Sequence, residues 1–258
     1  MKLSKPYKTD AFGKAYFIKR ILILVLGMAS RPRYTRINKT RIQGWEHLEK
    51  LKDTQVLFVS NHQTYFAEVI LMYHVFAALK AGRRDIDRNP FYLLHPRLNV
   101  YFIAAIETMK AGILPKLFAY AGSISIKRTW RDAGKNVNRK VDVRDISKIG
   151  IALDHGWVIT FPQGTTKPFV KGRRGTAHIV KKFEPVVVPI VLDGFRRAFD
   201  KKGIKLKKRS TPLNIRFKEP LALDYSADSD TILEQIMDAI EQSERFAGRP
   251  LEDPEKAG

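Results

Sequence analysis

Short runs of apolar residues alternate along this chain with longer segments in which apolar residues recur at helical spacing. The runs are rich in bulky side chains and predict buried strands at 56–59, 99–105, 157–161, 186–192 and 213–217. Between them the pattern predicts helices at 69–76, 142–155, 175–183 and 230–246. Helices that alternate with buried strands in this way are typical of an α/β fold.

Two of these elements carry residues that predict their placement or their ends. The strand at 186–192 contains Pro189, which has no N–H to donate to a neighbouring strand. This strand is therefore expected at an edge of the sheet, or broken at the proline. In the last helix Ser229 or Asp230 can serve as the N-cap, and one face is expected to consist of Ile232, Ile236 and Ile240.

The N-terminal part of the chain combines an apolar segment with basic residues. Residues 17–29 are strongly apolar, but the uncharged stretch is confined to 21–29, whereas a bilayer crossing needs roughly 20 apolar residues. A helix in the membrane interface, followed by arginines that meet lipid phosphates, accounts for this pattern. The alternative is a helix buried by docking onto the fold. We expect three regions: a membrane-interface helix with basic flanks (1–38), a main domain (39–247) and a polar tail (248–258).

The charge of the chain narrows the choice of partners. Its 258 residues include 47 Lys and Arg against 26 Asp and Glu, a formal net charge of +21, which favours an anionic membrane surface, a nucleic acid or an acidic carrier protein. A nucleic-acid-binding protein has no use for the apolar N-terminal segment, so a membrane is favoured and no nucleic acid is expected. The basic segment 196–209 is a candidate contact for lipid or carrier, or else a solvated hairpin.

Several kinds of chemistry are excluded or disfavoured by missing residue patterns. The chain has no cysteine, which excludes disulfides, thiolate nucleophiles and thiolate metal sites and fits a cytoplasmic protein. No Gly-x-Ser-x-Gly motif is present, so a covalent serine mechanism is disfavoured. The histidines follow no metal-ligand spacing, and no metal is predicted.

The main candidate for chemistry follows the predicted strand 56–59. His62 lies in the turn between this strand and the helix at 69–76, with Glu68 a few residues later. A carboxylate can hold the proton on one imidazole nitrogen, so that the other nitrogen is free to act as a general base. The alternative interpretation is a capping Asn61 beside an incidental histidine.

Two further stretches place polar side chains at predicted strand ends. The alternating segment 122–126 ends at Lys127 and Arg128, which can bind an anion or simply remain solvated. The strand 157–161 ends in a turn at its carboxyl end, where open α/β sheets place their sites. Backbone N–H groups there would suit a phosphate, together with the loop residues Gln163, Gly164, Thr165, Thr166, Lys167, Arg173 and Arg174.

Taken in order, these segments resemble the sequence blocks of the glycerolipid acyltransferases, especially the bacterial 1-acyl-glycerol-3-phosphate acyltransferases. Those blocks are Asn-His followed by an acid, Gly-x-x-x-Ile-x-Arg, Phe-Pro-Glu-Gly-Thr-Arg, and a strand with Val-Pro-Ile. Here they correspond to Asn61-His62 with Glu68, and to 122–128, 161–166 and 188–190. Each block alone is a weak signal, whereas all four in family order, over about residues 56–192, are specific.

The resemblance implies a mixed, largely parallel sheet flanked by helices, and an acyltransferase activity without a further cofactor. A thioester donor, acyl-CoA or acyl-acyl carrier protein, would acylate the free hydroxyl of a lysophospholipid, most simply 1-acyl-glycerol-3-phosphate. The resemblance assigns catalysis to His62, oriented by Glu68, and acceptor binding to Asn61, Lys127, Arg128 and the loop 163–174. The expected location is the cytoplasmic face of the inner membrane, with peripheral or monotopic attachment.

Three positions depart from the family blocks. The acid Glu68 lies one residue later than the usual aspartate, Gln163 replaces glutamate, and Thr166 replaces arginine. In the family that arginine donates hydrogen bonds to the phosphate of the acceptor. Its expected substitutes here are Lys167, Arg173 or Arg174. These departures leave open another acceptor, such as an acylated amino-acid lipid. The alternative function is a non-catalytic basic protein that binds lipid or RNA.

Overall fold

The computed structural model describes residues 9–94, 98–110, 112–127, 131–132, 135–136 and 143–248. Its helices are α1 (Tyr16–Thr35), α2 (Trp45–Glu49), α3 (Ala67–Lys80), α4 (Ile106–Lys110), α5 (Ile113–Gly122), α6 (Val143–His155), α7 (Arg174–Phe183), α8 (Phe195–Ala198) and α9 (Ser229–Ala239). Short 3₁₀ helices lie at Pro90–Leu94 and Glu244–Phe246. Its strands are β1 (Lys39–Gln43), β2 (Val56–Ser60), β3 (Val100–Ala105), β4 (Ser123–Ile126), β5 (Arg131–Asp132), β6 (Lys135–Asn136), β7 (Trp157–Thr160), β8 (Val186–Asp193) and β9 (Pro212–Phe217). Apart from Gly248, the predicted polar tail falls outside the described residues.

Within the described residues, seven strands form one mixed sheet in the order β1-β9-β8-β2-β7-β3-β4. The five strands from β8 to β4 run parallel, whereas β9 pairs antiparallel with β8 and in parallel with β1. This sheet confirms the prediction of an α/β fold with a largely parallel mixed sheet. β5 and β6 pair separately as a short antiparallel ladder.

The central strands are buried on both faces, because helices cover both sides of the sheet. Every residue of β2 is buried, and successive side chains alternate between the two faces. Phe58 packs toward α3, with its ring 4.8 Å from that of Phe76. Leu57 belongs to the opposite core, which includes apolar side chains of α6, α7 and α9. A strand with so little freedom holds the residues that follow it in a defined place.

The placement predicted for Pro189 is wrong. β8 is continuous over Val186–Asp193 and lies inside the sheet, between β9 and β2. The antiparallel ladder with β9 covers Ile190 to Asp193 and so stops one residue before the proline. Pro189 O still accepts a hydrogen bond from Lys218 N at 2.9 Å. The missing N–H therefore falls at the end of the ladder, where its loss disrupts no regular pairing.

The last helix begins and ends differently from the prediction. α9 covers Ser229–Ala239, and its N-cap is Asp228, whose carboxylate accepts hydrogen bonds from the backbone N–H groups of Asp230 and Thr231. Neither of the two expected capping residues has this role. The apolar face was predicted correctly, since three isoleucines are fully buried against the sheet: Ile232, Ile236 and Ile240.

Helix α1 is docked on one side and exposes apolar side chains on the other. Tyr34 Oη donates to Ala67 O at 2.8 Å, and Ser30 Oγ lies 3.0 Å from His74 Nε2, so α1 is joined to α3. At 100° per residue, the large exposed apolar side chains of α1 share about a 100° arc; they are Phe17, Ile18, Ile21, Val25 and Met28. No helix in the described part of the chain is both long and apolar enough to cross a bilayer.

Candidate active site

The candidate base lies directly after β2, at the carboxyl edge of the parallel strands. His62 Nδ1 is 2.8 Å from Glu68 Oε1. Because an ionised carboxylate can only accept, Nδ1 carries the proton of this hydrogen bond and Nε2 is left as the acceptor. No described residue forms a hydrogen bond with His62 Nε2. The longer spacing from histidine to acid therefore still brings the two side chains into contact.

The carboxylate of Glu68 is fully buried, and several donors surround it. Glu68 accepts from Gln63 N at 2.7 Å, from Thr64 N at 3.0 Å and from the Thr64 hydroxyl. Burial alone would raise the pKa of Glu68, but the hydrogen bonds from His62 and Thr64 outweigh burial and lower its pKa below the ordinary value. Glu68 is thus a fixed anion that orients the His62 ring.

The loop between β2 and α3 is supported by the connection from α8 to β9. Tyr65 N donates to Lys201 O at 3.0 Å, and Phe66 N donates to Lys202 O at 3.1 Å. Gly203 packs so closely that a Cβ there would lie 2.6 Å from Ala67 N, and its φ of +75° also favours glycine. The basic segment 196–209 therefore contacts the loop of His62 through its backbone.

The side chain of Asn61 holds the loop. Its Nδ2 donates to Leu192 O, and its Oδ1 accepts from Leu192 N, both at 2.8 Å. The side chain is buried and completes the pairing of the chain after β2 with β8. Through these bonds Asn61 fixes the backbone next to His62, and its role in substrate binding stays a prediction.

The loop after β7 lies against His62. The ring of Phe161 stacks on the His62 imidazole, with centroids 4.0 Å apart. Gln163 is buried and donates from Nε2 to Val170 O at 3.1 Å and to Gln242 Oε1 at 3.3 Å. Its amide nitrogen therefore ties the loop to the C-terminal segment, and its role in substrate binding stays a prediction. Gly164 adopts a left-handed φ of +63° at the turn.

The predicted cationic and hydroxyl groups of this region have different surroundings. Arg174 forms a two-point ion pair with Asp230 of α9. Lys167 and Arg173 are both exposed. The backbone N–H of Arg173 donates to Pro162 O at 2.8 Å, and Thr165 Oγ1 accepts a hydrogen bond from Lys167 N at 3.3 Å. The exposed Lys127 donates its backbone N–H to Asp145. Arg128 lies outside the described residues.

One cation beside the site was not identified from the sequence. Arg196 N donates to Gln63 Oε1 at 3.1 Å, and its guanidinium Nη2 donates to Thr166 O. It therefore contacts both the residue after His62 and the position where the family block has arginine. In the sequence Arg196 is one of many basic residues in the segment 196–209, and no motif distinguishes it from its neighbours.

An apolar groove beside this site also had no signal in the sequence. Its inner part lies between α1, α3 and α5, and its lining includes Leu26, Val69, Ile70 and Phe118. Its outer part, which shares Ile23 and Leu93 with the inner part, is lined among others by Phe17, Ile21, Leu94 and Leu98. The Phe118 ring stacks on Phe66, at the end of the His62 loop, with centroids 5.0 Å apart. The inner part is therefore next to the loop that carries His62, and the outer part lies along the N-terminal half of α1.

The arrangement can support proton transfer at an oxygen atom near an apolar groove. It offers an oriented imidazole, a buried carboxylate and exposed cations within neighbouring loops. Among the residues that the structure describes, no group of three or more His, Asp or Glu is placed to hold a metal ion. An imidazole oriented in this way can act as a general base, and exposed cations in neighbouring loops can bind an anion.

Comparisons with known proteins identify the family. The family model described as Acyltransferase matches residues 39–193, more than half of the chain. Among solved structures, the chain is similar to the 1-acyl-sn-glycerophosphate (LPA) acyltransferase PlsC from Thermotoga maritima, with a TM-score of 0.53, 16% identity, and coverage of 90% of this chain and 81% of that chain. At this identity the likeness shows the fold. No curated protein sequence matches the chain. The match extends from β1 to β8 and includes both His62 and Glu68. The chain therefore belongs to the Acyltransferase family.

Proposed function

We propose that the protein transfers a fatty acyl group from a thioester to the free hydroxyl of a lysophospholipid, most simply 1-acyl-glycerol-3-phosphate, to form phosphatidic acid. The observation that carries this proposal is the 2.8 Å contact between His62 Nδ1 and the buried Glu68. This contact leaves Nε2 as a proton acceptor at the carboxyl edge of the sheet. Membership of the Acyltransferase family supplies the reaction class.

The proposed reaction is a direct transfer with no acyl-enzyme. His62 Nε2 takes the proton of the acceptor hydroxyl as that oxygen attacks the thioester carbonyl carbon. The new ester C–O bond forms, the C–S bond breaks, and the imidazolium returns its proton to the leaving thiolate. Glu68 stabilises the transient imidazolium, because its negative charge is fixed at Nδ1.

The apolar groove provides a place for an acyl chain. Val69 and Ile70 line its inner part and directly follow Glu68 in α3. An acyl chain in the groove would bury apolar surface, at about 0.8 kcal/mol per buried CH₂ group. The groove would thus hold the acylated substrate with its polar end near His62.

The exposed arc of α1 supports attachment to a membrane. Phe17 is 74% exposed and Val25 is 58% exposed, and both lie on that arc. A helix in this position can bury its apolar arc at the headgroup boundary while its opposite face stays docked on the fold. With the net charge of +21, this supports peripheral or monotopic attachment at the cytoplasmic face of the inner membrane. The same charge suits an acidic acyl carrier protein or coenzyme A as donor.

The proposal is tested by product analysis with the purified protein. Wild-type protein is incubated with 1-oleoyl-glycerol-3-phosphate and either oleoyl-CoA or oleoyl-acyl carrier protein, and lipids are identified by mass spectrometry. A parallel reaction contains an acylated amino acid with a free hydroxyl. We expect phosphatidic acid from the first acceptor. If only the amino-acid lipid is acylated, that lipid and not the lysophospholipid is the acceptor. If no acyl group passes from either donor to either acceptor, the proposed function is contradicted.

A further inference from the structure

Arg196 connects the two loops that form the candidate site. Its backbone N–H donates to Gln63 Oε1 at 3.1 Å, while the Gln63 amide donates to Leu192 O at 2.8 Å. At the other end of the residue, Nη2 donates to Thr166 O in the loop after β7. Gln63 follows the base His62, and Thr166 belongs to the loop whose Phe161 stacks on that base. Arg196 thus lies at the junction of both loops.

The described residues use little of the hydrogen-bonding capacity of this guanidinium. An arginine side chain has five N–H donors, and the bond to Thr166 O accounts for one of those of Arg196. In the described part of the chain, no carboxylate forms an ion pair with Arg196. The neighbouring Arg197 differs, since Asp193 binds it at 2.7 Å. Arg196 is exposed and can therefore bind an anion from solution.

The backbone around Arg196 is held firmly. Phe195 and Ala198 on either side are fully buried. Gly194 has a φ of +91°, and a Cβ there would lie 2.0 Å from Pro212 O, so the turn before α8 admits little change. Arg196 O also accepts from Lys207 Nζ at 3.1 Å. The backbone of Arg196 is therefore ordered before a ligand binds, and the bond to Thr166 O holds its side chain at one point.

We propose that Arg196 binds the anionic group of the acceptor and so positions the acceptor hydroxyl at His62. The inference rests on the proposed function and names a binding residue for it. In a glycerol phosphate, only a few bonds separate the phosphate from the free hydroxyl, so an anion at the junction of the two loops keeps that hydroxyl close to the base. Arg196 contacts Thr166, the position at which the family block carries arginine, and supplies a guanidinium there from a different part of the chain. Planar bidentate donors suit phosphate oxygens.

The test compares two adjacent arginines and two acceptors. Arg196→Ala, Arg196→Lys and Arg197→Ala are each assayed with 1-oleoyl-glycerol-3-phosphate and with neutral 1-oleoylglycerol, at a saturating concentration of whichever thioester the wild type uses. Arg197→Ala removes the same charge one residue away, from a side chain already paired with Asp193. Donor KM is measured separately, and thermal unfolding checks each variant.

The expected result is a change confined to the anionic acceptor. Loss of charge-assisted hydrogen bonds predicts that Arg196→Ala raises the KM for 1-oleoyl-glycerol-3-phosphate roughly tenfold or more, with little change for 1-oleoylglycerol or for the donor. Arg196→Lys should recover part of the loss, and Arg197→Ala should resemble the wild type.

Three outcomes would overturn the inference while leaving the function standing. They are an unchanged acceptor KM in Arg196→Ala, an equal loss with both acceptors, and a change in donor KM alone. An equal loss would mean that Arg196 only holds the two loops together. If Arg196→Ala unfolds, the ratio of the two acceptor KM values in Arg196→Lys decides the question, and an unchanged ratio overturns the inference. A wild-type protein without any transferase activity would instead contradict the proposed function.

Discussion

Replacing Glu68 by glutamine removes one charge from the site and leaves the size of the side chain almost unchanged. In the structure Glu68 is fully buried and receives hydrogen bonds from His62 Nδ1 at 2.8 Å, Gln63 N at 2.7 Å and Thr64 N at 3.0 Å. The oxygen of a glutamine can accept hydrogen bonds from some of these donors, but its NH₂ group then faces the remaining donors and cannot accept from them. The variant also lacks the anion that stabilises the protonated imidazole during transfer.

The expected loss of activity follows from these contacts. A hydrogen bond to a charged group contributes about 1.5–3 kcal/mol, so Glu68→Gln should lower kcat roughly 10- to 150-fold. KM for the acceptor should change little, because Glu68 contacts the base and not the substrate. Glu68→Asp keeps the charge but shortens the side chain, and is expected to lose activity too, since the spacing to His62 here suits glutamate.

Stability should respond to pH in a direction set by the lowered pKa of Glu68. The carboxyl group binds protons more weakly in the folded protein than in the unfolded chain, so its ionised form stabilises the fold above the ordinary pKa of 4.5. That contribution is lost as the pH falls through the folded pKa. The free energy of unfolding of the wild type should therefore approach that of Glu68→Gln in acid.

Steady-state kinetics test the predicted loss of kcat, and denaturant unfolding at several pH values tests the predicted pH dependence of stability. A Glu68→Gln variant with at least half of the wild-type kcat would refute the role of the carboxylate in orienting His62. A difference in unfolding free energy that grows as the pH falls below 4.5 would refute the electrostatic account of its burial.

Two further predictions concern the loop after β7 and helix α1. Gln163→Glu places a buried carboxylate against the acceptors Val170 O and Gln242 Oε1 and should reduce the free energy of unfolding by about 1–3 kcal/mol. The control is Gln235→Glu, the same change at an exposed position of α9, and equal losses in denaturant unfolding would contradict the argument. Val25→Asp should lower the amount of protein that sediments with anionic vesicles several-fold, while acyl transfer to a detergent-dispersed acceptor is preserved. The control is Ile151→Asp, at an exposed apolar position of α6. Equal losses of vesicle binding in the two variants would show that the exposed arc of α1 does not meet the membrane.

The sequence predicted the central strands well, because burial on both faces leaves a continuous apolar run such as residues 56–59 of β2. It also predicted that His62 follows such a strand. It could not predict that Glu68 reaches His62, since the loop between them is shaped by Gly203 and by the carbonyls of Lys201 and Lys202, far away in the chain. Such contacts depend on tertiary packing, and the local pattern does not contain them.

Two polar residues beside the site show why residue type does not assign a role. Asn61 and Gln163 are predicted to bind substrate, and in the structure the amide nitrogens of both donate to backbone carbonyls in the interior. A polar side chain beside a site can face the ligand or the protein, and residue type does not distinguish the two. Arg196 shows the reverse case, because its contact with Thr166 depends on the return of the chain after β8.

The central claim is that the imidazole of His62 removes the proton from the acceptor hydroxyl, and the most direct test is the kcat of His62→Ala for transfer to 1-oleoyl-glycerol-3-phosphate. General base catalysis contributes roughly 10²- to 10⁴-fold, so the account predicts a kcat lowered by at least about a hundredfold in a variant that remains folded at the assay temperature. A folded His62→Ala protein that transfers the acyl group at a rate close to the wild type would contradict it.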